Sequence, residues 1–183
     1  ITATSAELDP AGSLHSGNTF MWLTPSPAGD GSIDSTAEVN DTTSNGPDLA
    51  NNDFFGYSIA NMGDLDADGV IDFAVGAPGD DAVHIMFMNT DGSVDSTVEI
   101  NSSTTNGPGV GIASTNYGVS VANVGDLDGD GVQDIAVGAN FDDTGGNNRG
   151  AIWISYLNTD GTVDSSVAIN SDTTNGPTLA NND

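Results

Sequence analysis

The chain of 183 residues carries 27 acidic side chains against a single basic one, Arg149, for a formal charge of −26, and it has no cysteine. That balance excludes phosphate-driven nucleic-acid binding, which needs Lys and Arg to displace counterions, and it disfavours anionic membranes. The missing thiols exclude disulfides and thiolate metal sites, and with no run of 18 apolar residues no membrane-inserted helix is expected.

Read in chain order, the sequence is one unit written three times. Residues 1–53 form a partial unit. Its segment Glu7-Leu-Asp9-Pro-Ala11-Gly12 is a worn form of an acidic loop found intact downstream, with Ala11 where a third carboxylate belongs, so no metal site is assigned there. Phe20-Met-Trp22-Leu23 matches Ile152-Trp153-Ile154, and Asp30 to Asp34, Ser35-Thr-Ala-Glu-Val-Asn40 and Asn45-Gly46-Pro47 follow.

The second unit, 54–115, has four runs of period two, rich in β-branched and aromatic residues, at 55–61, 72–77, 82–89 and 96–101. In the third run Val83, Ile85 and Phe87 share one face, and His84, Met86 and Met88 the other. The third unit, 116–183, repeats the pattern, with Ile152, Ile154 and Tyr156 set against Trp153, Ser155 and Leu157. Ser35, Ser96 and Ser165 open the matching segments, so the period is 61 and then 69 residues; the excess lies in an insertion at 144–149. Turn signals (Pro-Gly, Asp-Gly, Asn-Gly-Pro) separate the runs at hairpin distances. Four antiparallel strands per repeat of this length describe a propeller blade. The expected fold is therefore all-β, with two full blades, 54–115 and 116–183, and a partial one, 1–53.

Between the first two runs of the second unit lies Asp64-Leu-Asp66-Ala-Asp68-Gly69-Val70-Ile-Asp72. It returns 62 residues later as Asp126-Leu-Asp128-Gly-Asp130-Gly131-Val132-Gln-Asp134. A calcium ion takes six to eight oxygens at about 2.3–2.6 Å. Carboxylates at positions 1, 3, 5 and 9 supply most of them, the carbonyl of Val70 or Val132 adds one at position 7, and the glycine at position 6 permits the turn. Two calcium sites are expected. An EF-hand would need Glu at position 12 and flanking helices; position 12 is Val75 or Val137, inside strand-like runs.

Phe55-Gly56 followed by Gly76-Ala77-Pro78, with the acidic loop between them, resembles the FG-GAP repeat of integrin α-subunit propellers. The next copy, Tyr117-Gly118 with Gly138-Ala139-Asn140, keeps the pattern less strictly. Arg149-Gly-Ala-Ile-Trp-Ile-Ser-Tyr-Leu-Asn-Thr-Asp-Gly161 resembles the bacterial FG-GAP repeats of secreted and surface proteins. The resemblance implies calcium held by these same loop aspartates and a place outside the cell or on its surface.

Catalysis has little to draw on. His15 and His84 occupy unlike positions, and no nucleophile–base pair can be assembled. His84 and the tryptophans Trp22 and Trp153 are expected to fill blade interfaces, and Arg149 to cap or salt-bridge a loop. Asn40 and Asn101 fit the glycosylation pattern only as chance allows in so Asn-rich a chain.

The expected function is a calcium-binding, non-enzymatic structural or adhesive module. Alternatives are a self-assembling subunit of a fibre or sheath, or an accessory domain of a secreted hydrolase or lyase. The final Leu179-Ala-Asn-Asn-Asp183 matches Leu49-Ala-Asn-Asn-Asp53, just ahead of a Phe-Gly pair. Closed propellers need about four to eight blades, so the expected partners are further repeats or copies of the chain itself, with a surface protein or glycan as a possible ligand.

Overall fold

The computed structural model describes residues 20–25 and 33–182; the worn loop Glu7 to Gly12 and His15 lie outside them. The described chain is all-β apart from one turn of 3-10 helix at Gly109–Ile112. Strands β1 (Phe20–Pro25) and β2 (Ile33–Val39) pair as an antiparallel hairpin. Strands β3 (Ser58–Gly63), β4 (Asp72–Ala77), β5 (Ala82–Met88) and β6 (Val94–Ile100) form one four-stranded antiparallel sheet in that order. Strands β7 (Tyr117–Gly125), β8 (Asp134–Ala139), β9 (Ala151–Leu157) and β10 (Val163–Ile169) form a second of the same order.

The alternation read from β5 is what the two faces of its sheet use. Val83, Ile85, Phe87 and Ile100 pack into one apolar cluster with Tyr117, Ile135, Val137, Leu157 and Val163 of the second sheet. Met86 and Met88, from the opposite face, pack with Phe55, Phe73, Val75, Leu49 and Val39. The first sheet is thus covered on both sides, and every residue of β4 and β5 is buried.

The turns follow from their residues. The β5–β6 and β9–β10 hairpins close on Asp-Gly-(Ser/Thr), where the Asp carboxylate accepts the N–H two residues on: Ser93 N to Asp91 at 2.9 Å and Thr162 N to Asp160 at 3.0 Å. Each Asn-Gly-Pro turn holds its Asn in the left-handed region, at φ 57°, 59° and 61° for Asn45, Asn106 and Asn175. Asn tolerates that region better than other residues with a Cβ. Ahead of these turns, the Oδ1 atoms of Asn40 and Asn101 accept N–H groups from Thr42 at 2.9 Å and Ser103 at 2.8 Å, so these side chains act as local turn caps.

Two expectations are corrected. The first strand of the second unit begins at Ser58 rather than Phe55, because Phe54 and Gly56 have φ of 56° and 84° and form a turn closed by Tyr57 N on Phe54 O at 3.1 Å. Trp22 does not match Trp153. Strand pairing aligns Met21 with Glu38, His84 with Glu99 and Trp153 with Ala168, so Met21 shares the position of His84 and Trp153, while Trp22 shares that of Ile85 and Ile154. Matching the two tryptophans by identity slips the register by one residue, which changes the face. Of the two roles expected of Arg149, it takes that of a loop cap, its Nε donating to Asn181 Oδ1 at 3.1 Å and tying the 144–149 insertion to the chain beyond β10.

The two sheets are also joined through backbone. A Cβ on Gly76 would lie 2.0 Å from the Gly118 carbonyl oxygen, and one on Gly118, at φ 93°, would lie 2.3 Å from Ala82 O. The glycine of one repeat's Gly-Ala-Pro is therefore needed to admit the glycine of the next repeat's Tyr-Gly. Ser58 Oγ donates to Gly118 O at 2.8 Å across the same seam. The Asp81 carboxylate accepts the N–H groups of Ser114, Thr115 at 2.9 Å and Tyr117 at 3.1 Å, fixing the entry to β7.

His84 sits in the face lined by Met86 and Met88, edge-on to the Phe55 ring at a centroid distance of 5.5 Å, with Nδ1 buried and lacking a hydrogen-bond partner. Burial lowers its pKa to about 4, against the opposing pull of Asp53. A folded pKa depressed below the ordinary 6.5 means that the unfolded chain binds the extra proton first. Stability is therefore expected to fall as pH drops from about 6.5 to about 4, by up to about 1.4 kcal/mol per pH unit from this group. Denaturant titrations of the protein and of His84→Met across that window check this; an equal slope in both would contradict it. Ile85→Ala, at a fully buried site, is expected to cost about 2–5 kcal/mol in the same titrations, and a cost below about 1 kcal/mol would contradict the packing described.

Candidate metal centre

The two acidic loops join β3 to β4 and β7 to β8, at matching ends of the two sheets. They lie side by side: Asn123 Nδ2 donates to Asn61 O at 3.0 Å, and a cleft of about 370 Å³ between them is lined by Asp64 and Leu65 on one side and Gly131 and Val132 on the other.

Within each loop the carboxylates fold inward on the backbone. Asp64 Oδ2 accepts Gly69 N at 3.0 Å, Asp66 Oδ1 accepts Asp68 N at 3.1 Å, and Asp68 Oδ1 accepts Val70 N at 2.7 Å. The second loop repeats these with Asp126 to Gly131 N at 3.0 Å, Asp128 to Asp130 N at 3.1 Å and Asp130 to Val132 N at 2.8 Å. The result is that carboxylate oxygens of Asp64, Asp66 and Asp72 lie within 4.8 Å of one another, as do those of Asp126, Asp128 and Asp130. Of the expected carboxylates, Asp68 in the first loop and Asp134 in the second stand outside these groups of three. Val70 and Val132 set their side chains against the apolar clusters.

The ninth position has a task that the ligand pattern does not disclose. Asp72 and Asp134 are buried, at 1% and 0% exposure. One oxygen of Asp72 accepts Leu65 N at 2.8 Å and the other Met88 N at 3.1 Å; Asp134 holds Leu127 N at 2.7 Å and Leu157 N at 3.2 Å in the same way. Each carboxylate thus closes its loop and pins it to the end of the third strand of its sheet. Burial raises the pKa of Asp72, and the charges of Asp66 and Asp68 add to the rise, while the two backbone N–H groups oppose it. Asp128 is raised too, by desolvation first and then by the charges of Asp130, Asp134 and Asp126. In both, desolvation is the largest cause, and the charges of neighbouring carboxylates add to it.

The donor set suits a hard cation. It is all oxygen, it carries formal charge to neutralise, and each oxygen that accepts one N–H keeps a further lone pair. Sequence reading found the glycine at position 6 but overlooked position 4, which is also left-handed: Ala67 has φ 66° and Gly129 φ 84°. A Cβ at Gly129 or Gly131 would touch nothing within 4 Å, so its cost there is backbone strain alone, about 1–2 kcal/mol.

Residues 117–155 match the family model described as the FG-GAP repeat. The chain is also similar to integrin alpha-4 of Xenopus laevis, at 36% identity over 90 residues. That alignment covers 49% of this chain and spans 9% of the length of the integrin subunit.

Ala67→Gly is expected to stabilise the protein, by roughly 0.5–1 kcal/mol after the added freedom of the unfolded chain is counted. Gly131→Ala is expected to destabilise it by about 1–2 kcal/mol. Urea titration reads both, and a destabilising Ala67→Gly would mean that the left-handed turn is not what the loop needs.

Proposed function

We propose, for a chain that carries an FG-GAP repeat in its second four-stranded sheet, that it is a calcium-stapled, integrin-like adhesive or structural module working outside the cell, without catalytic activity. The observation that supports this reading most is the threefold convergence of carboxylate oxygens within 4.8 Å in each of two loops that share their aspartates at positions 1, 3, 5 and 9. Asp64, Asp66 and Asp72 would hold one ion and Asp126, Asp128 and Asp130 the other, with Asp68, Asp134 and the carbonyls of Val70 and Val132 completing the sets. Calcium there supplies charge neutralisation. The chain's own residues do the rest: Asp72 and Asp134 transmit the loop's order to the third strand of each sheet, and the Asn61–Asn123 bond couples one loop to its neighbour.

An extracellular setting fits this chemistry. Modules of this kind commonly bind calcium at about 10⁻⁴–10⁻³ M, a range in which the ion is a resident staple outside cells. The catalytic alternative lacks comparable support: His84 is buried against Phe55, and the clustered carboxylates are those a cation would occupy.

Calcium is expected to raise the thermal midpoint, with each site adding about 2.7 kcal/mol at a free ion level of 100 times its Kd. Magnesium is expected to do so weakly, because it demands stricter geometry and keeps its water. Melting in calcium, in magnesium and with a chelator checks this, and an unchanged midpoint would remove calcium from the account. Asp66→Ala and Asp128→Ala should each lose one of two sites in a calorimetric titration; two sites retained in both variants would overturn the ligand assignment.

A further inference from the structure

Aspartate followed by glycine is the pair at which a peptide backbone most readily turns on its own side chain. The glycine nitrogen, which no Cβ shields, attacks the aspartate Cγ and closes a five-membered succinimide. Hydrolysis then opens the ring mainly at the backbone carbonyl, so that the chain runs on through the side chain as isoaspartate. Asp-Gly occurs five times in the described chain: at Asp91 and Asp160 in the β5–β6 and β9–β10 hairpins, and at Asp68, Asp128 and Asp130 in the acidic loops.

All five carboxyl groups take one pose, folded forward over the glycine peptide with an oxygen on the N–H two residues on. The distances are 2.9 Å at Asp91, 3.0 Å at Asp160, 2.7 Å at Asp68, 3.1 Å at Asp128 and 2.8 Å at Asp130. The sites differ in what holds the glycine N–H. In the hairpins it donates to backbone, Gly92 to Asn89 O and Gly161 to Asn158 O, both at 2.9 Å. In the loops the acceptor is a side chain. Gly69 donates to Asp64 Oδ2 at 3.0 Å, and Gly129 and Gly131 donate to the two oxygens of Asp126 at 2.7 Å and 3.0 Å. Asp64 and Asp126 are exposed, and an exposed side chain changes rotamer in picoseconds to nanoseconds. Freeing the hairpin glycines requires the turn itself to open.

We infer that Asp68, Asp128 and Asp130 are sites of spontaneous isoaspartate formation in the folded protein, with the carboxylates of Asp64 and Asp126 guarding the attacking nitrogens. The C–N bond forms as Cγ loses its hydroxyl oxygen and the glycine nitrogen its proton, together one water. Hydrolysis returns one water, so the mass is unchanged. The backbone gains a methylene and the carboxylate moves onto Cα, which takes the third or fifth oxygen donor of the loop out of its place. Without a repair enzyme the loss is one-way. The effect of calcium alone rests on the reading proposed above: an ion held by these carboxylates fixes both the attacked group and its guard, and so slows ring closure.

Site-resolved mass spectrometry after prolonged incubation at neutral pH tests this, with electron-transfer fragmentation to separate isoaspartate from aspartate. In chelator, the folded protein is expected to form isoaspartate several-fold faster at Asp68, Asp128 and Asp130 than at Asp91 and Asp160. The urea-unfolded chain is expected to form it at similar rates at all five. Asp126→Ala, in calcium and in chelator alike, is expected to speed formation several-fold at Asp128 and Asp130 and to leave Asp68 unchanged. Asp126→Asn, which keeps an acceptor oxygen, should lie nearer the wild type. The calcium arm of these variants reads the inference even where chelation unfolds the protein, because Asp68 of the same molecule is the reference. Hairpin sites that keep pace with the loops in the folded protein would overturn the inference. So would an Asp126→Ala protein whose Asp128 and Asp130 convert no faster than in the wild type. Calcium should slow the loop sites and leave Asp91 and Asp160 unchanged. The same ranking of sites with no effect of calcium would uphold this inference and contradict the calcium reading instead.

Discussion

A four-stranded sheet with two apolar faces cannot be satisfied alone, and the rest of this structure depends on that. Burying apolar surface yields about 25 cal/mol per Å², but a sheet whose strands alternate in both directions gains it only when something lies on each side. In the first sheet both sides are filled, and β4 and β5 are buried throughout. The second sheet has the same strand order and a similar apolar alternation, yet Ile152 and Val167 remain half exposed. The difference lies in the neighbour rather than in the strand.

The close approach that this packing requires explains the small residues at the seam. Gly76 and Gly118 meet backbone to backbone, and Asp81 caps three N–H groups at the entry to β7. The acidic loops are positioned by the same arrangement, because the carboxylates that end them, Asp72 and Asp134, are anchored inside the sheets. Stacking the repeats sets the two loops beside each other across one cleft, so the packing that stabilises the sheets also concentrates negative charge. Cations bound there would relieve that cost, which physically links the proposed ion sites to the architecture.

Much of this was legible in the residues. The repeat period, the four strands per unit, the division of Val83, Ile85 and Phe87 from His84, Met86 and Met88, and the acidic loops all follow from patterns local to a few residues. What escaped depends on contacts between repeats or on backbone angles without a side-chain signature. Phe54 takes a left-handed conformation that its identity does not advertise, which delays β3 to Ser58. Ala67 does the same in a position that the second loop gives to Gly129. Trp22 looks like the partner of Trp153 until pairing to β2 fixes its register one residue away. The anchoring role of Asp72 and Asp134 becomes visible only when Met88 and Leu157 arrive beside them.

The central claim is that the neighbouring sheet, rather than the strand sequence, sets local stability. Native-state amide hydrogen exchange in dilute calcium-containing solution tests it most directly, by comparing β5 with β9. Each is an interior strand flanked by two others, but only the sheet of β5 is covered on both faces. The account predicts markedly slower exchange at Ile85 and Phe87 than at their counterparts Ile154 and Tyr156. Equal protection in the two strands, or slower exchange in β9, would contradict it.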